Sequence, residues 1–431
     1  MSKRSSHKEE QKSADQASLV VLTNHFPFGL YESFLENELP ALTNNFGKVI
    51  ILCRDVTSAG ERPLHGASVH RVNPKSSLSE NFITALLCVR YGLRIWRYVS
   101  DERRWLKEHN RKLTTYILDE ITHNIIKAIQ TARHVRRVIK DEDLSGNVVL
   151  YSYWLTSSAL ALTFVSSGKY RVVKVSRAHG GDVYEYRNEN RYLPFRRTLI
   201  HRLDRVFAIS EDAAAHLRRQ THEADGLKVQ VARLGTTTAG KSPDKSGARL
   251  TVVSCSFLVA VKRVHLIIEA LQQIDLPDIQ WIHIGGGPLE EQIMAKAKER
   301  LNKKNNISYQ LLGSKTNDQL MQFYRETHVD VFINTSSAEG IPVTIMEAQS
   351  FGIPVVAPRV GGIPEIVTDQ TGRLFDVDAS PLTIARLLTE ILVLPAADVK
   401  AMRMAAFQNW KTNYNADKNF STFVAEIQKL L

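Results

Sequence analysis

The chain has 431 residues, 43% hydrophobic and 23% charged, enough for two domains of ordinary size with the balance of a soluble globular protein. A formal net charge of +11 calls for an acidic partner, whether nucleic acid, anionic lipid or a phosphorylated substrate. Cys53, Cys88 and Cys255 are widely spaced and form no CxxC, so they read as free thiols of a reducing cytoplasm and exclude a disulfide framework or zinc site. Residues 1–17 carry both signs of charge and no apolar centre, the pattern of a disordered tail and not of a signal peptide or anchor. No apolar run approaches the roughly 20 residues that cross a bilayer, and the expected location is cytoplasmic, at most peripheral on the membrane.

In chain order, residues 19–24 (LVVLTN) form an apolar β-type run, and the loop HFPFGLYES with Gly29 follows before a helical pattern. A glycine there permits close backbone approach to a ligand at the carboxyl end of a strand, or simply a turn. Strands are expected at 48–54 and 68–72, then a mainly helical region over 81–139. Within it Phe82, Leu86, Val89, Leu93 and Trp96 fall on one helical stripe, and Arg90, Arg94 and Arg97 on another. The stretch between Arg90 and Lys112 is strongly basic. It reads either as a face for an anionic membrane surface or lipid diphosphate, or as the solvated side of a helix packed on a sheet. Nucleic acid is not the expected partner, because no recognisable nucleic-acid module accompanies the charge. Strands at 148–154 and 170–176 follow, the second running into SRAHGGDVYEYRNENRY, where His179 precedes Gly180, Gly181 and Asp182. Further strands are expected at 205–210 and 229–234, with Ser210 capping a helix.

The polar run TTTAGKSPDKSGAR is the best linker candidate. Its position gives expected domains of 18–240 and 250–410, a linker at 241–249, and a C-terminal helical segment at 411–431. The second half restarts at 250–254, passes through SFLVAVKRVHLIIEAL, and reaches a strand at 281–284 followed by Gly285, Gly286, Gly287 and Pro288. That glycine cluster lacks the third glycine of GxGxxG and is weak evidence for a dinucleotide. Strands at 308–312 and 329–334 lead to the densest motif in the chain, TSSAEGIPVTIMEAQSFGIPVVAPRVGG. Pro342 suits the first helical position, which leaves the N–H groups of Val343 and Thr344 facing the loop as an anion site. Eight helical steps from Glu339 to Glu347 would span about 12 Å, too far for a glycosidase pair at roughly 5–9.5 Å but suited to two sugar rings joined by a diphosphate.

EGIPVTIMEA resembles the E-x7-E motif of retaining glycosyltransferases of family 4. The resemblance implies the GT-B fold: an α/β architecture of two doubly wound Rossmann-like domains facing across a cleft, with a last helix crossing back to the first domain. It implies that Glu347 holds the donor ribose, that Glu339 holds the transferred sugar, and that the backbone of Gly340, Ile341, Pro342, Val343 and Thr344 cradles the diphosphate. Lys262 matches the lysine of the family's G-R-L-x-x-x-K-G, Arg263 follows it, and Phe257 stands where the arginine is common. Gly286 and Gly287 would lie against the donor nucleotide and Gly29 near the donor phosphate or acceptor. His179 matches the family's histidine that contacts the transferred sugar, with Arg177, Asp182 and Tyr184 as acceptor candidates. The catalytic set is then His179, Glu339 and Lys262. A UDP- or GDP-sugar would be the donor and a saccharide or lipid-linked saccharide the acceptor, with no metal or other cofactor. Since no residue stands out as a covalent nucleophile, the implied reaction is a front-face substitution with retained configuration, in which the leaving phosphate helps deprotonate the acceptor. SRAHGGDVY and EGIPVTIMEA look most like bacterial enzymes of surface polysaccharide or lipopolysaccharide synthesis. The alternatives are a nucleotide-sugar epimerase and a catalytically silent saccharide-binding or partner-binding protein.

Overall fold

A computed structural model of the protein describes all residues except 1–16, 30, 31, 33, 55–61, 73–77, 167, 169, 189, 238, 239, 241 and 246. The expected tail up to residue 16, and residues 241 and 246 of the expected linker, therefore lie outside the described residues. The chain divides into two compact units, one running to Ala232 and including Phe420–Leu431, the other Arg233–Asn419.

The first unit is built on β1 (Ser18–Thr23), β2 (Lys48–Cys53), β3 (Ser68–Arg71), β4 (Asn147–Ser152), β5 (Arg171–Ala178), β6 (Arg205–Ala208) and β7 (Val229–Val231). They form a seven-stranded sheet in the order β3-β2-β1-β4-β5-β6-β7, parallel throughout. A parallel sheet is covered on both faces, and the strands show why: Val20, Leu22, Ile50 and Leu52 enter one apolar cluster, while Leu19, Val21, Val49 and Ile51 enter the other. The second cluster also takes in Phe423, Val424 and Ile427 from the C-terminal helix. Strand order reverses between β1 and β4, so their carboxyl ends diverge there and open a crevice for a ligand.

The second unit repeats the plan with β8 (Leu250–Cys255), β9 (Ile279–Ile284), β10 (Ile307–Leu311), β11 (Val331–Ile333), β12 (Val355–Pro358) and β13 (Gly372–Phe375). The order is β10-β9-β8-β11-β12-β13, again parallel, and the reversal falls between β8 and β11. Both units are thus Rossmann-like lobes of GT-B type.

The helical region is three helices, not one continuous stretch: Leu78–Arg90, Gly92–Glu108 and Thr115–Asp141. The chain turns after Glu108 through Asn110 at φ 52°, and the Thr114 side chain caps the next helix by accepting from Ile117 N. Two apolar faces run along the first two of these helices, and one of them packs. Leu87, Tyr91, Ile95 and Val99 pack against the core, whereas Phe82, Leu86, Val89, Leu93 and Trp96 are exposed, Leu93 by 80% and Trp96 by 67%.

Candidate functional site

In the second unit, the loops that follow β8 and β11 meet at the switch point. Ser337 N donates to Val261 O at 2.8 Å, and Thr335 Oγ1 donates to Lys262 O at 2.9 Å. This stitching places Lys262 beside Glu339, whose carboxylate accepts from the lysine ammonium. Glu339 is buried, and Lys262 gives its carboxyl group the hydrogen-bond partner that a buried polar group needs. Gly361 makes the position possible. At φ +50° it lies so close that a Cβ would stand 1.9 Å from Glu339 O, and Gly362 N donates to Gly340 O at 2.7 Å.

The helix after this loop spans Val343–Ser350, with Pro342 as its cap residue at φ −67°, ψ 124°. Helical structure therefore begins one residue later than expected. Pro342 O accepts from Ile345 N at 3.1 Å, and the N–H groups of Val343 and Thr344 belong to the first turn, which has no intrahelical acceptor for them. Glu347, one turn on, is buried. Asn317 Nδ2 donates to its Oε1 at 2.6 Å, yet burial dominates and raises its pKa to about 8. At neutral pH the carboxyl is mostly protonated in the unliganded protein.

Arg263 does not stand free beside Lys262. It sits in the left-handed region at φ 47° and donates to Thr335 O at 2.8 Å and Val377 O at 2.6 Å, which ties the loop to neighbouring backbone. Phe257 projects outward, 54% exposed. Gly285 and Gly287 take positive φ because the chain there lies against Ser256 and Leu258: a Cβ on Gly287 would come within 2.7 Å of Leu258 O. Gly286 is more open, its nearest neighbour to a Cβ being Ser314 Oγ at 3.0 Å.

In the first unit, the loops after β1, β4 and β5 form a second polar cluster. Glu32 is its anchor, with carboxylate oxygens that accept from the backbone N–H groups of Asn24 at 2.9 Å, His25 at 2.7 Å and Phe26 at 2.7 Å, and from the Trp154 indole. Gly29 lies in the same loop at φ 68°. His179, immediately after β5, packs against the rings of Tyr153 at 4.7 Å and Trp154 at 4.6 Å. Burial, reinforced by the Arg177 charge, holds its pKa well below the usual histidine value. The imidazole is neutral, and both ring nitrogens are buried with no partner among the described residues.

The three acceptor candidates lie in the interior. Asp182 accepts from Leu155 N at 2.6 Å and from His179 N, which fixes the histidine loop; burial lifts its pKa to about 6. Arg177 is fully buried, paired with Glu38 at 3.0 Å, donating to Tyr151 Oη and Ala232 O and lying 4.1 Å over the Phe423 ring. Tyr184 donates to Asp212. Glu32, Trp154, Asn317 and Gly361 were not singled out from sequence. Only Gly361 had a local signal, the paired glycine after VVAPRV.

Among the described residues, no group of three or more His, Cys, Asp or Glu side chains is placed to hold a metal ion, and no helix is long and apolar enough to cross a membrane.

Two Rossmann-like lobes, the second carrying a Lys–Glu pair and a helix N-terminus at its switch point, make up a GT-B architecture. Residues 237–408 match the family model described as glycosyl transferases group 1, and the two lobes have the GT-B fold of the solved structures they resemble. It is 28% identical over 376 residues, 77% of this chain and 87% of the relative, to WcaL of Escherichia coli, which carries the name of a colanic acid biosynthesis glycosyltransferase. It is 24% identical over 225 residues, 49% of this chain and 54% of the relative, to the amylovoran biosynthesis glycosyltransferase AmsK of Erwinia amylovora. Among solved structures it resembles the lipopolysaccharide outer core galactosyltransferase WaaB (TM-score 0.67, 15% identity, 96% of this chain and 100% of that one). HepE of Anabaena, solved in complex with UDP-glucose, is similar in fold (TM-score 0.64, 14% identity, 96% of this chain and 100% of that one).

Proposed function

We propose that the protein transfers a glycosyl group from a nucleoside diphosphate sugar to a hydroxyl of a saccharide or lipid-linked saccharide, with retention of anomeric configuration, in the assembly of a bacterial surface polysaccharide or lipopolysaccharide. The observation that carries this reading is the Lys262–Glu339 pair held beside the first turn of the helix Val343–Ser350. A diphosphate seated on the Val343 and Thr344 N–H groups would meet the positive end of the helix dipole, and Lys262 would add a full charge as the leaving group departs. Glu339 would accept from hydroxyls of the transferred sugar and Glu347 from those of the ribose. Gly340, Ile341 and Pro342 shape the phosphate loop, with Gly286 and Gly287 beside the nucleotide. Since Arg263 is engaged with backbone carbonyls, Lys262 carries the cationic contribution to the diphosphate and Arg263 keeps the loop in place.

His179 is the group of the first unit that we assign to a hydroxyl of the sugar in transfer, because its ring nitrogens are buried without partners. Arg177, Asp182 and Tyr184 act behind it as supports of the acceptor-side loops, with Gly29 allowing close approach after β1. In the substitution, the sugar–phosphate bond breaks, the acceptor oxygen bonds to the anomeric carbon on the same face, and the acceptor proton passes to the leaving phosphate. UDP is the nucleotide we favour, with GDP as the alternative, and the basic stretch from Arg90 to Lys112 is assigned to an anionic membrane surface. The protein acts in the cytoplasm, in part at that surface.

The test is a transfer reaction with UDP- and GDP-sugars and saccharide acceptors, the product's anomeric configuration being read by NMR. A retained linkage, lost in Glu339→Gln, is expected. An inverted linkage would overturn the mechanism, and donor binding without transfer to any acceptor would favour a silent saccharide-binding protein.

A further inference from the structure

At the amino-terminal ends of the strands in the first unit lies a cavity of about 660 Å³ whose lining includes Arg90, Arg94, Arg97, Lys174 and Arg202 and no acidic residue. It is remote from His179 within that sheet. Lys174 sits in mid-β5, and the four residue steps from there to Ala178 span about 13 Å along the strand, with His179 beyond the far end. The cations are held in place. Arg94 donates to Thr163 O at 3.0 Å and lies over the Tyr91 ring at 5.7 Å, and Arg202 lies over the Tyr98 ring at 5.9 Å. Asp204 accepts from Lys174's own backbone N–H at 2.7 Å. Burial lowers the pKa of the Lys174 ammonium; Asp204 opposes the shift, and Arg94 and Arg202 add to it. Five like charges around one cavity repel one another, and an anion in the cavity relieves that repulsion.

An exposed apolar stripe reaches the same cavity at Leu93. The helices Leu78–Arg90 and Gly92–Glu108 are joined by bonds from Tyr91 N to Leu87 O and from Ile95 N to Tyr91 O, so the stripe of Leu86, Val89, Leu93 and Trp96 runs on across the junction. Its inner side already packs on the core, so this second apolar stripe has nothing left to cover within the unit. Leu93 belongs to both features, as it lines the cavity and is 80% exposed. An apolar stripe flanked by arginines is the composition of a helix that lies in a membrane interface.

We propose that this cavity binds the phosphate headgroup of an anionic phospholipid while Leu86, Val89, Leu93 and Trp96 insert into the interface of the same membrane. The site deepens the assignment of the basic stretch to a membrane surface and rests on that assignment, not on the donor site. A soluble phosphate would use the cations but leave the apolar stripe without a role, whereas a lipid uses both.

Sedimentation with vesicles of phosphatidylcholine alone, and of phosphatidylcholine with 30 mol% phosphatidylglycerol as a chosen composition of about that size, tests it. The double variant Lys174→Gln, Arg202→Gln is expected to bind the anionic vesicles about 25-fold more weakly, at about fivefold per cation. Arg103→Gln with Lys107→Gln, two exposed cations of the helix Gly92–Glu108 that lie outside the cavity, should lose markedly less. Leu93→Ser with Trp96→Ser should weaken binding to both vesicle types. Nucleotide binding and melting temperature, unchanged in each variant, confirm folding; should Lys174→Gln, Arg202→Gln fail to fold, the exposed pair Arg90→Gln, Arg97→Gln replaces it. Anionic vesicle binding that the cavity pair leaves no weaker than the control pair does would overturn the headgroup site alone. Absence of wild-type binding to either vesicle would overturn the membrane assignment with it, and inorganic phosphate bound by such a protein would identify a soluble-phosphate site instead.

Discussion

Replacing Glu347 by glutamine is expected to stabilise the second unit while weakening its grip on nucleotide. Burial raises the Glu347 pKa from 4.5 to about 8, so the folded protein keeps this proton over a range where the unfolded chain releases it. Between those two values the unfolded state binds fewer protons, and stability falls by 1.36 kcal/mol per pH unit as pH rises. At pH 7 the accumulated cost is about 3 kcal/mol, and it vanishes below about pH 4.5. Glutamine keeps an oxygen to accept from Asn317 and carries no charge to desolvate. Glu347→Gln should therefore melt higher than wild type at pH 7, by roughly 6–12 °C for a unit of this size, and by little at pH 5. Calorimetric scans of both proteins at pH 5, 6, 7 and 8 give the curve. A pH-independent difference, or a variant less stable at pH 7, would refute the assignment of a desolvated, protonated carboxyl. The same proton sets nucleotide binding. If ribose hydroxyls donate to the ionised form, wild-type affinity should rise with pH toward 8, by up to about tenfold per unit, and the glutamine variant should show no such rise.

Lys262→Ala should lower kcat by about 10²–10³-fold, the scale for losing one donor to a developing charge, with Lys262→Arg recovering part of it in steady-state kinetics. Gly361→Ala should abolish nucleotide binding by calorimetry, because its Cβ would stand 1.9 Å from Glu339 O and must displace that residue. His179→Phe keeps a ring against Trp154 and Tyr153 but removes both nitrogens; kcat should fall about 10²-fold while the Kd for UDP stays within about twofold. Arg177→Ala strands Glu38 in the core and should cost about 3–5 kcal/mol of unfolding free energy in denaturant titration, with nucleotide affinity unchanged in the folded fraction.

The alternation of apolar strands and helices made both Rossmann-like lobes legible, since a parallel sheet buried on two faces needs runs such as LVVL and VIIL wherever a strand lies. The EGIPVTIMEA motif was legible for a local reason: loop, helix start and the first helical turn are contiguous in sequence, so their geometry follows from backbone chemistry. What escaped depends on chain segments far apart. Asn317 reaches Glu347 across 30 positions, and Trp154 reaches Glu32 across 122; no local pattern encodes such a pairing. The apolar stripe through Leu93 was readable as a stripe, but its direction was not. Two apolar faces run along those helices, and which one meets the core depends on the sheet beneath. Arg177 misled for the opposite reason. An arginine beside a loop histidine looks available, and only Glu38, distant in sequence, shows that it belongs to the interior.

The most direct measurement is titration calorimetry of UDP, GDP, ADP and TDP, each with and without chelator, into wild type and Lys262→Ala. Selective binding of one nucleoside diphosphate, unchanged by chelator and weakened in the variant, is the result expected if Lys262 and the helix start at Val343 hold the donor diphosphate. Binding that leaves Lys262→Ala unaffected, or failure of all four nucleotides to bind the folded wild type, would contradict the donor site.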